Sequence, residues 1–206
     1  VVGNDDEMVG IITEHDIIQV AFNYGLFLGA IRFNQSAELI GAAVVPSSIA
    51  SAEVQLRIMK DFRSTVLAST PSFALHILET MQKKGIDPRT LSLKIGLFGA
   101  EPWPEEVHRF IEASWGIKAY DIYGVTELVE PGVAGECMAQ AGLHIFEDHF
   151  LPEVIDPATG KPLEPGLEGE LVLTTLTTNA YPLLRYRTSD MTTLHLEPCS
   201  CGRTLA

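Results

Sequence analysis

The sequence predicts an α/β fold: a mostly parallel sheet with flanking helices, followed by a small β-barrel-like subdomain. Three observations carry this expectation. Up to about residue 122, short continuous apolar runs of buried-strand type alternate with stretches of helical periodicity. Strands alternating with helices imply a parallel sheet covered on both faces. After Gly142 the helical stretches stop and strand-like segments follow, separated by Pro and Gly turn signals. The seam falls near Ala141, dividing the chain into 1–141 and 142–206.

The strand runs of the first part are Asp16–Phe22, Ala42–Val45, Ser64–Ser69, Leu91–Phe98 and Ile117–Ile122. Ser51 is placed to cap a helix whose Val54, Ile58, Met59 and Phe62 share one face. Thr70 caps a second helix, with Pro71 in the first helical position, Phe73, Ile77, Leu78 and Met81 as its stripe, and Gly85 closing it. A third helix runs from about Pro104 to Ser114, before Gly116. In the second part the strand-like segments are Leu143–Phe146, Glu153–Ile155, Glu170–Thr174 and Leu183–Arg187. Pro157-Ala158-Thr159-Gly160 and Pro165-Gly166 punctuate them.

With 206 residues, 46% of them apolar, the chain can bury a core. It has no run of about 18 apolar residues and no basic-then-apolar leader, so a cytoplasmic location without membrane attachment is expected. A net charge of −13 argues against a nucleic-acid or anionic-membrane surface. An anionic ligand must then be drawn in locally, by backbone N–H groups, arginine or a divalent cation. Three cysteines, an odd count, do not make a disulfide framework in a reducing compartment.

Ligands of parallel sheets bind at the carboxyl ends of strands. Two turns, Gly99–Trp103 and Tyr123–Glu127, occupy that position. In Tyr123-Gly124-Val125-Thr126-Glu127 the hydroxyl suits a phosphate oxygen and the carboxylate suits a hard cation such as Mg²⁺. Taken alone, Thr-Glu after a turn also begins many ordinary helices. About sixty residues later comes Tyr186-Arg187-Thr188-Ser189-Asp190. The pair, in this order, resembles the adenylate-forming ligases. Phe98-Gly99-Ala100-Glu101-Pro102-Trp103, Ala119–Gly124, Pro131–Ala134, His144–Phe150 and Pro152–Pro157 narrow the resemblance to the phenylacetate–CoA ligase family, from about Asp16 to the C-terminus.

The resemblance implies activation of phenylacetate or a similar aryl acid with ATP to acyl-AMP, then transfer to CoA. It places Thr126 on phosphate and Glu127 on Mg²⁺. Gly99, Ala100, Glu101 and Pro102 would flank the adenine on one side. Asp121, Ile122, Tyr123, Gly124 and Val125 would form the other, with Tyr123 stacking on the base. Asp190 would hold the ribose, and Arg187 either faces the phosphates or salt-bridges the barrel. Tyr24 and Phe27 resemble the wall of the aryl pocket, although family members commonly show Tyr-Gly-Tyr-Gly-Leu-Phe where this chain has Phe22-Asn23 before Tyr24.

Cys137, His144, Cys199 and Cys201 offer three thiolates and an imidazole, a donor set for structural Zn²⁺. His149 competes as the fourth ligand; the family pattern supplies His144. His15, His76, His108 and His195 read as surface or helix residues. The family's Ser/Thr/Gly-rich phosphate loop and C-terminal lid are not found among these residues, and 1–10 looks like a compressed remnant of the strand and helix after that loop. A truncated chain of this kind is expected not to turn over alone, and a homodimer is compatible with it. Two rivals use the same residues: a coenzyme F420 adenylyltransferase, and a non-catalytic zinc-stapled binding module.

Overall fold

The computed structural model describes residues 11–25 and 28–204. The remnant at 1–10 and the pocket residue Phe27 lie outside the described residues. Seven strands form one sheet: β1 (Ile17–Val20), β2 (Ala43–Val45), β3 (Val66–Ser69), β4 (Ile95–Gly99), β5 (Lys118–Val125), β6 (Val129–Glu136) and β7 (Leu143–Ile145). Their order is β2-β1-β3-β4-β5-β6-β7. The first five run parallel, and β6 and β7 add antiparallel strands at one edge. Four helices cover the sheet: α1 (Leu28–Ile40), α2 (Ala52–Phe62), α3 (Pro71–Lys83) and α4 (Glu105–Trp115).

Each face of the sheet has its own core. Leu56, Met59, Ile77, Met81, Ile111 and Trp115, from α2, α3 and α4, pack with Leu67 and Phe98. On the other face Ile18, Val20, Val66, Ala68 and Leu97 receive Ala30 and Ala37 of α1. These small residues explain why α1 is illegible in the sequence. Its buried positions are Gly29, Ala30 and Ala37, so it carries no apolar stripe and lies close to the sheet.

The predicted helices form, with local corrections. At α3, Thr70 accepts from the Phe73 N–H at 3.2 Å and Pro71 sits at the first turn. The C-terminus closes with the Ile86 N–H on the Met81 carbonyl, around left-handed Gly85. Ser51 precedes α2 but its hydroxyl makes no cap hydrogen bond. The buried face of α2 is Ala52, Gln55, Leu56 and Met59, and Phe62 is 56% exposed. Gln55 displaces the apolar stripe because its carboxamide meets the buried Gln19 side chain.

The β-rich part is a three-stranded antiparallel sheet rather than a closed barrel: β8 (Phe150–Ile155), β9 (Glu168–Thr175) and β10 (Tyr186–Thr193), in the order β10-β9-β8. The run 143–146 supplies β7 and pairs with β6, so the change of sheet comes after Ile145, not at Ala141. Strand β6, with Pro and Gly in V-E-P-G-V-A-G-E, gives no strand signal and is held by its two neighbours. Leu128, Val133, Ile145, Phe146, Phe150, Leu171 and Leu173 form one cluster joining the two sheets. Among the described residues no helix is long and apolar enough to cross a membrane.

Candidate active site

Gly99 ends β4, paired with Ile122 of β5. A Cβ at Gly99 would stand 2.2 Å from the Ile122 carbonyl oxygen, so only glycine lets the two backbones approach this closely. Ala100 follows in the left-handed region, at φ 67°, which turns the chain sharply away from the sheet. Glu101 then reaches to α3, where its carboxylate accepts from the backbone N–H and hydroxyl of Ser72, at 2.5 and 2.9 Å. The expected adenine-flanking glutamate therefore satisfies the start of α3, alongside the Thr70 cap. Pro102 is exposed, and Trp103 packs edge-on against Phe98.

On β5, Asp121 and Ile122 pair with Phe98 and Gly99, so the two predicted walls stand side by side at the strand ends. Burial pushes the Asp121 carboxyl up, and the Trp103 indole opposes that shift. The register of β5 and β6 shifts between Tyr123 and Val125, placing Gly124 in an irregular rung. Thr126 and Glu127 then form an exposed hairpin turn between β5 and β6. They do not begin a helix.

The second motif meets the first through a bulge. Between the rungs Arg187↔Val172 and Met191↔Glu170, strand β10 has three residues where β9 has one. Ser189 adopts φ 66° there, in the left-handed region. Thr188 locks the bulge, donating its hydroxyl to the Leu171 carbonyl at 2.9 Å and accepting from the Asp190 N–H at 3.1 Å. Asp190 is thereby set out of the ladder, and the Tyr123 hydroxyl donates to its carboxylate. Burial and this carboxylate push the Tyr123 phenol well above its ordinary range. Burial, with the Glu127 carboxylate beside it, also raises Tyr186. Arg187 is engaged elsewhere: its guanidinium holds Glu170 and donates to the Pro157 carbonyl at 3.0 Å. Of the two roles open to Arg187, the salt bridge within the β-rich sheet is the one the geometry gives.

A cleft of about 640 Å³ opens at the carboxyl ends of β1, β3 and β4, a size suited to a small organic ligand. Phe22, Ile49, Phe73 and Ala100 give it apolar walls, and Asn23, Ser72 and His76 give it polar groups. Tyr24 packs into the sheet core instead, with its hydroxyl buried and unpartnered. The sequence pointed to Tyr24; the fold brings Phe22 and Asn23 to the cleft. Ile49 and Ser72 escaped notice, and His76 reads in the sequence only as a surface or helix residue, although Thr70-Pro71-Ser72 also follows a strand and marked the spot.

The cysteines and His144 converge. Ligand atoms of Cys137, His144, Cys199 and Cys201 all lie within 4.8 Å of one another. Cys137 and Cys199 sulfurs are 3.8 Å apart, and Cys201 Sγ is 3.5 Å from His144 Nε2. A tetrahedral Zn²⁺, with sulfur at about 2.3 Å and nitrogen at about 2.0 Å, has edges of about 3.8 and about 3.5 Å. The donor set and spacing fit that ion, with four protein ligands and no open position. Hydrogen bonds from Cys201 pull the Cys199 thiol down to about 6, while burial pushes Cys137 up. His149 is outside the cluster, bonded to Thr177 at 2.9 Å.

Comparison with known proteins agrees with this geometry. The family described as AMP-binding enzyme matches residues 11–178. A phenylacetate-coenzyme A ligase of Thermus thermophilus is 48% identical over 185 residues, covering 89% of this chain and 42% of that protein. The Aromatoleum evansii ligase of the same name is 49% identical over 180 residues, covering 87% and 41%. The chain thus spans about two-fifths of the curated relatives it matches. A 2-hydroxyisobutyryl-CoA ligase, solved with 2-HIB-AMP and CoA, superposes with a TM-score of 0.89 over 94% of this chain and 44% of that one, at 26% identity. A benzoate CoA ligase from Burkholderia xenovorans shares the fold, with a TM-score of 0.62 at 20% identity over 85% of this chain and 35% of that one. With the family match running from before β1 to beyond β9 and the two motifs joined at Tyr123 and Asp190, the chain belongs to the AMP-binding enzyme family, among relatives named phenylacetate–CoA ligases.

Proposed function

We propose that the protein activates phenylacetate or a similar aryl acid with ATP, forming acyl-AMP and pyrophosphate, and passes the acyl group to CoA. The observation carrying this reading is the Tyr123–Asp190 hydrogen bond, which joins two motifs 67 residues apart at the ends of β5 and β10. In this reading Asp190 takes the ribose hydroxyls, and the Tyr123 phenol, held protonated, fixes the carboxylate's direction. The acid's carboxylate oxygen attacks the α-phosphorus of ATP and pyrophosphate leaves. Thr126 donates to phosphate, and Glu127 would hold a Mg²⁺ that would supply charge neutralisation there, so the protein contributes positioning and charge compensation. The apolar cleft beside Ala100 receives the aryl ring. The CoA thiol then attacks the acyl carbonyl and AMP leaves.

Zn²⁺ on Cys137, His144, Cys199 and Cys201 would be structural, since four protein ligands exclude a reacting water. It would pin the turn after β6 to the chain that follows β10.

Acid-dependent AMP formation by the full-length protein tests the reading. AMP and a thioester with an aryl acid are expected. Pyrophosphate release with adenylylation of a deazaflavin acceptor, and no thioester with an aryl acid, would move the assignment to adenylyl transfer. No AMP with any aryl acid would sink the ligase reading, and no adenylylated deazaflavin would sink the alternative.

A further inference from the structure

The Cys/His cluster and the Gly99–Trp103 segment are connected through one side chain. Gln140 lies in the turn after β6, and its N–H donates to the carbonyl of Cys137 at 3.0 Å. Its carboxamide Nε2 is 2.7 Å from the Ala119 carbonyl, 2.9 Å from Glu112 Oε1 and 3.0 Å from His108 Nε2. Its Oε1 accepts from Lys118 Nζ at 3.0 Å. An amide NH₂ has two protons, and the two oxygens take them. His108 Nε2 donates to the Ala119 carbonyl at 2.7 Å, a bond for which that oxygen has a second lone pair.

His108 is a helix residue, on α4, and it is buried. Its ring lies against the Trp103 indole, centroids 4.7 Å apart. Trp103 in turn meets Phe98 edge-on at 5.7 Å. A continuous path of contacts therefore runs from Cys137 through Gln140 and His108 to Trp103. Gln140 holds this place at φ 49°, a left-handed conformation costly for glutamine.

We propose that Gln140 is a positioning residue that transmits the state of the metal cluster to Trp103 and the wall it closes. Calling that wall the nucleotide's rests on the reading above; the coupling stands on the contacts themselves. With the cluster bound to metal, the Cys137 turn is fixed, Gln140 is held against Ala119 and Glu112, and the His108 ring is fixed against the indole. With the cluster empty, the turn is released and Trp103 loses its backing.

The two tryptophans, Trp103 and Trp115, make this measurable by ¹⁹F NMR of the chain labelled with 5-fluorotryptophan and assigned through Trp103→Phe and Trp115→Phe. Adding one equivalent of Zn²⁺ to the chelated chain is expected to move the Trp103 resonance while Trp115, deep in the helix-side core, stays in place. Gln140→Gly suits the left-handed backbone and keeps the four ligands. It should still bind one equivalent, with the Trp103 response reduced at least fivefold. An undisturbed Trp115 resonance shows that the variant is folded; should Gln140→Gly fail that check, Gln140→Ala replaces it. The proposal is overturned if Trp103 answers zinc equally in the variant, if it does not answer in the original chain, or if the folded chain binds no zinc. A protein that shows the coupling but forms no AMP keeps this inference and loses the ligase reading.

Discussion

Replacing Gly99 by alanine tests whether the close approach of β4 and β5 shapes the site. The added Cβ would lie 2.2 Å from the Ile122 carbonyl oxygen and 2.7 Å from Ile122 Cγ1, and real Cβ contacts essentially never fall below 3.0 Å. The obstacle is backbone in the middle of a seven-stranded sheet, so it cannot rotate aside. Restoring ordinary contact requires the strands to part by about 1 Å, which stretches a ladder hydrogen bond of about 2.9 Å beyond bonding distance. One or two such bonds at about 1 kcal/mol each, with overpacking of about 1–3 kcal/mol, give a loss of about 3 kcal/mol. For a domain of this size that lowers the thermal midpoint by about 6–12 °C. Urea and thermal unfolding followed by circular dichroism measure it. Gly85→Ala is the control: at φ 65° with nothing within 4 Å, it carries only the left-handed cost, about 1–2 kcal/mol. If Gly99→Ala is as stable as the original chain, or loses less than Gly85→Ala, the argument from close approach is wrong.

Tyr24→Phe removes a buried hydroxyl with no partner and should leave stability at neutral pH unchanged or higher. Burial, with Glu38 nearby, pushes the Tyr24 phenol up to about 12, so its contribution is present below pH 10 and lost between about 10 and 12. The variant should therefore unfold less steeply with pH in that window, as read by alkaline titration of the melting midpoint. Cys137→Ser should reduce bound zinc below about half an equivalent by elemental analysis and lower the melting midpoint, whereas His149→Ala should retain the metal. Retention by Cys137→Ser would refute the ligand set. Arg187 holds the Glu170 carboxyl below its usual range, so this pair stabilises the fold above the carboxylate's unfolded pKa and the effect disappears as pH falls through the lowered value. Arg187→Met should destabilise at neutral pH and flatten the acid limb of the stability profile; an unchanged acid limb would show that the ion pair contributes nothing.

Much of this was legible because the relevant signals are local. The Thr70-Pro71 start and Gly85 end of α3 are set by backbone geometry that few residues satisfy, and they read directly from the chain. The parallel strands β1 to β5 announce themselves by continuous apolar runs, since strands covered on both faces have no polar side. Helix α1 and strand β6 were not legible, for opposite reasons. The buried face of α1 consists of small residues, and β6 contains the residue types that ordinarily break strands.

For the site, the sequence carries the ingredients: Tyr123–Glu127, Thr188–Asp190, the glycine that ends β4, and three cysteines with a histidine. It also determined the family, because those motifs recur in fixed order. Which of these groups meet is set by the fold. It bonded Tyr123 to Asp190, gave Arg187 to Glu170 and Glu101 to the start of α3, and turned Phe22 and Asn23, instead of Tyr24, toward the cleft. Those outcomes depend on a two-residue bulge in β10, a left-handed Ala100 and the register of β4 on β5. Each is a contest for partners between residues far apart in the chain, and such a contest is settled by packing, which no local pattern records.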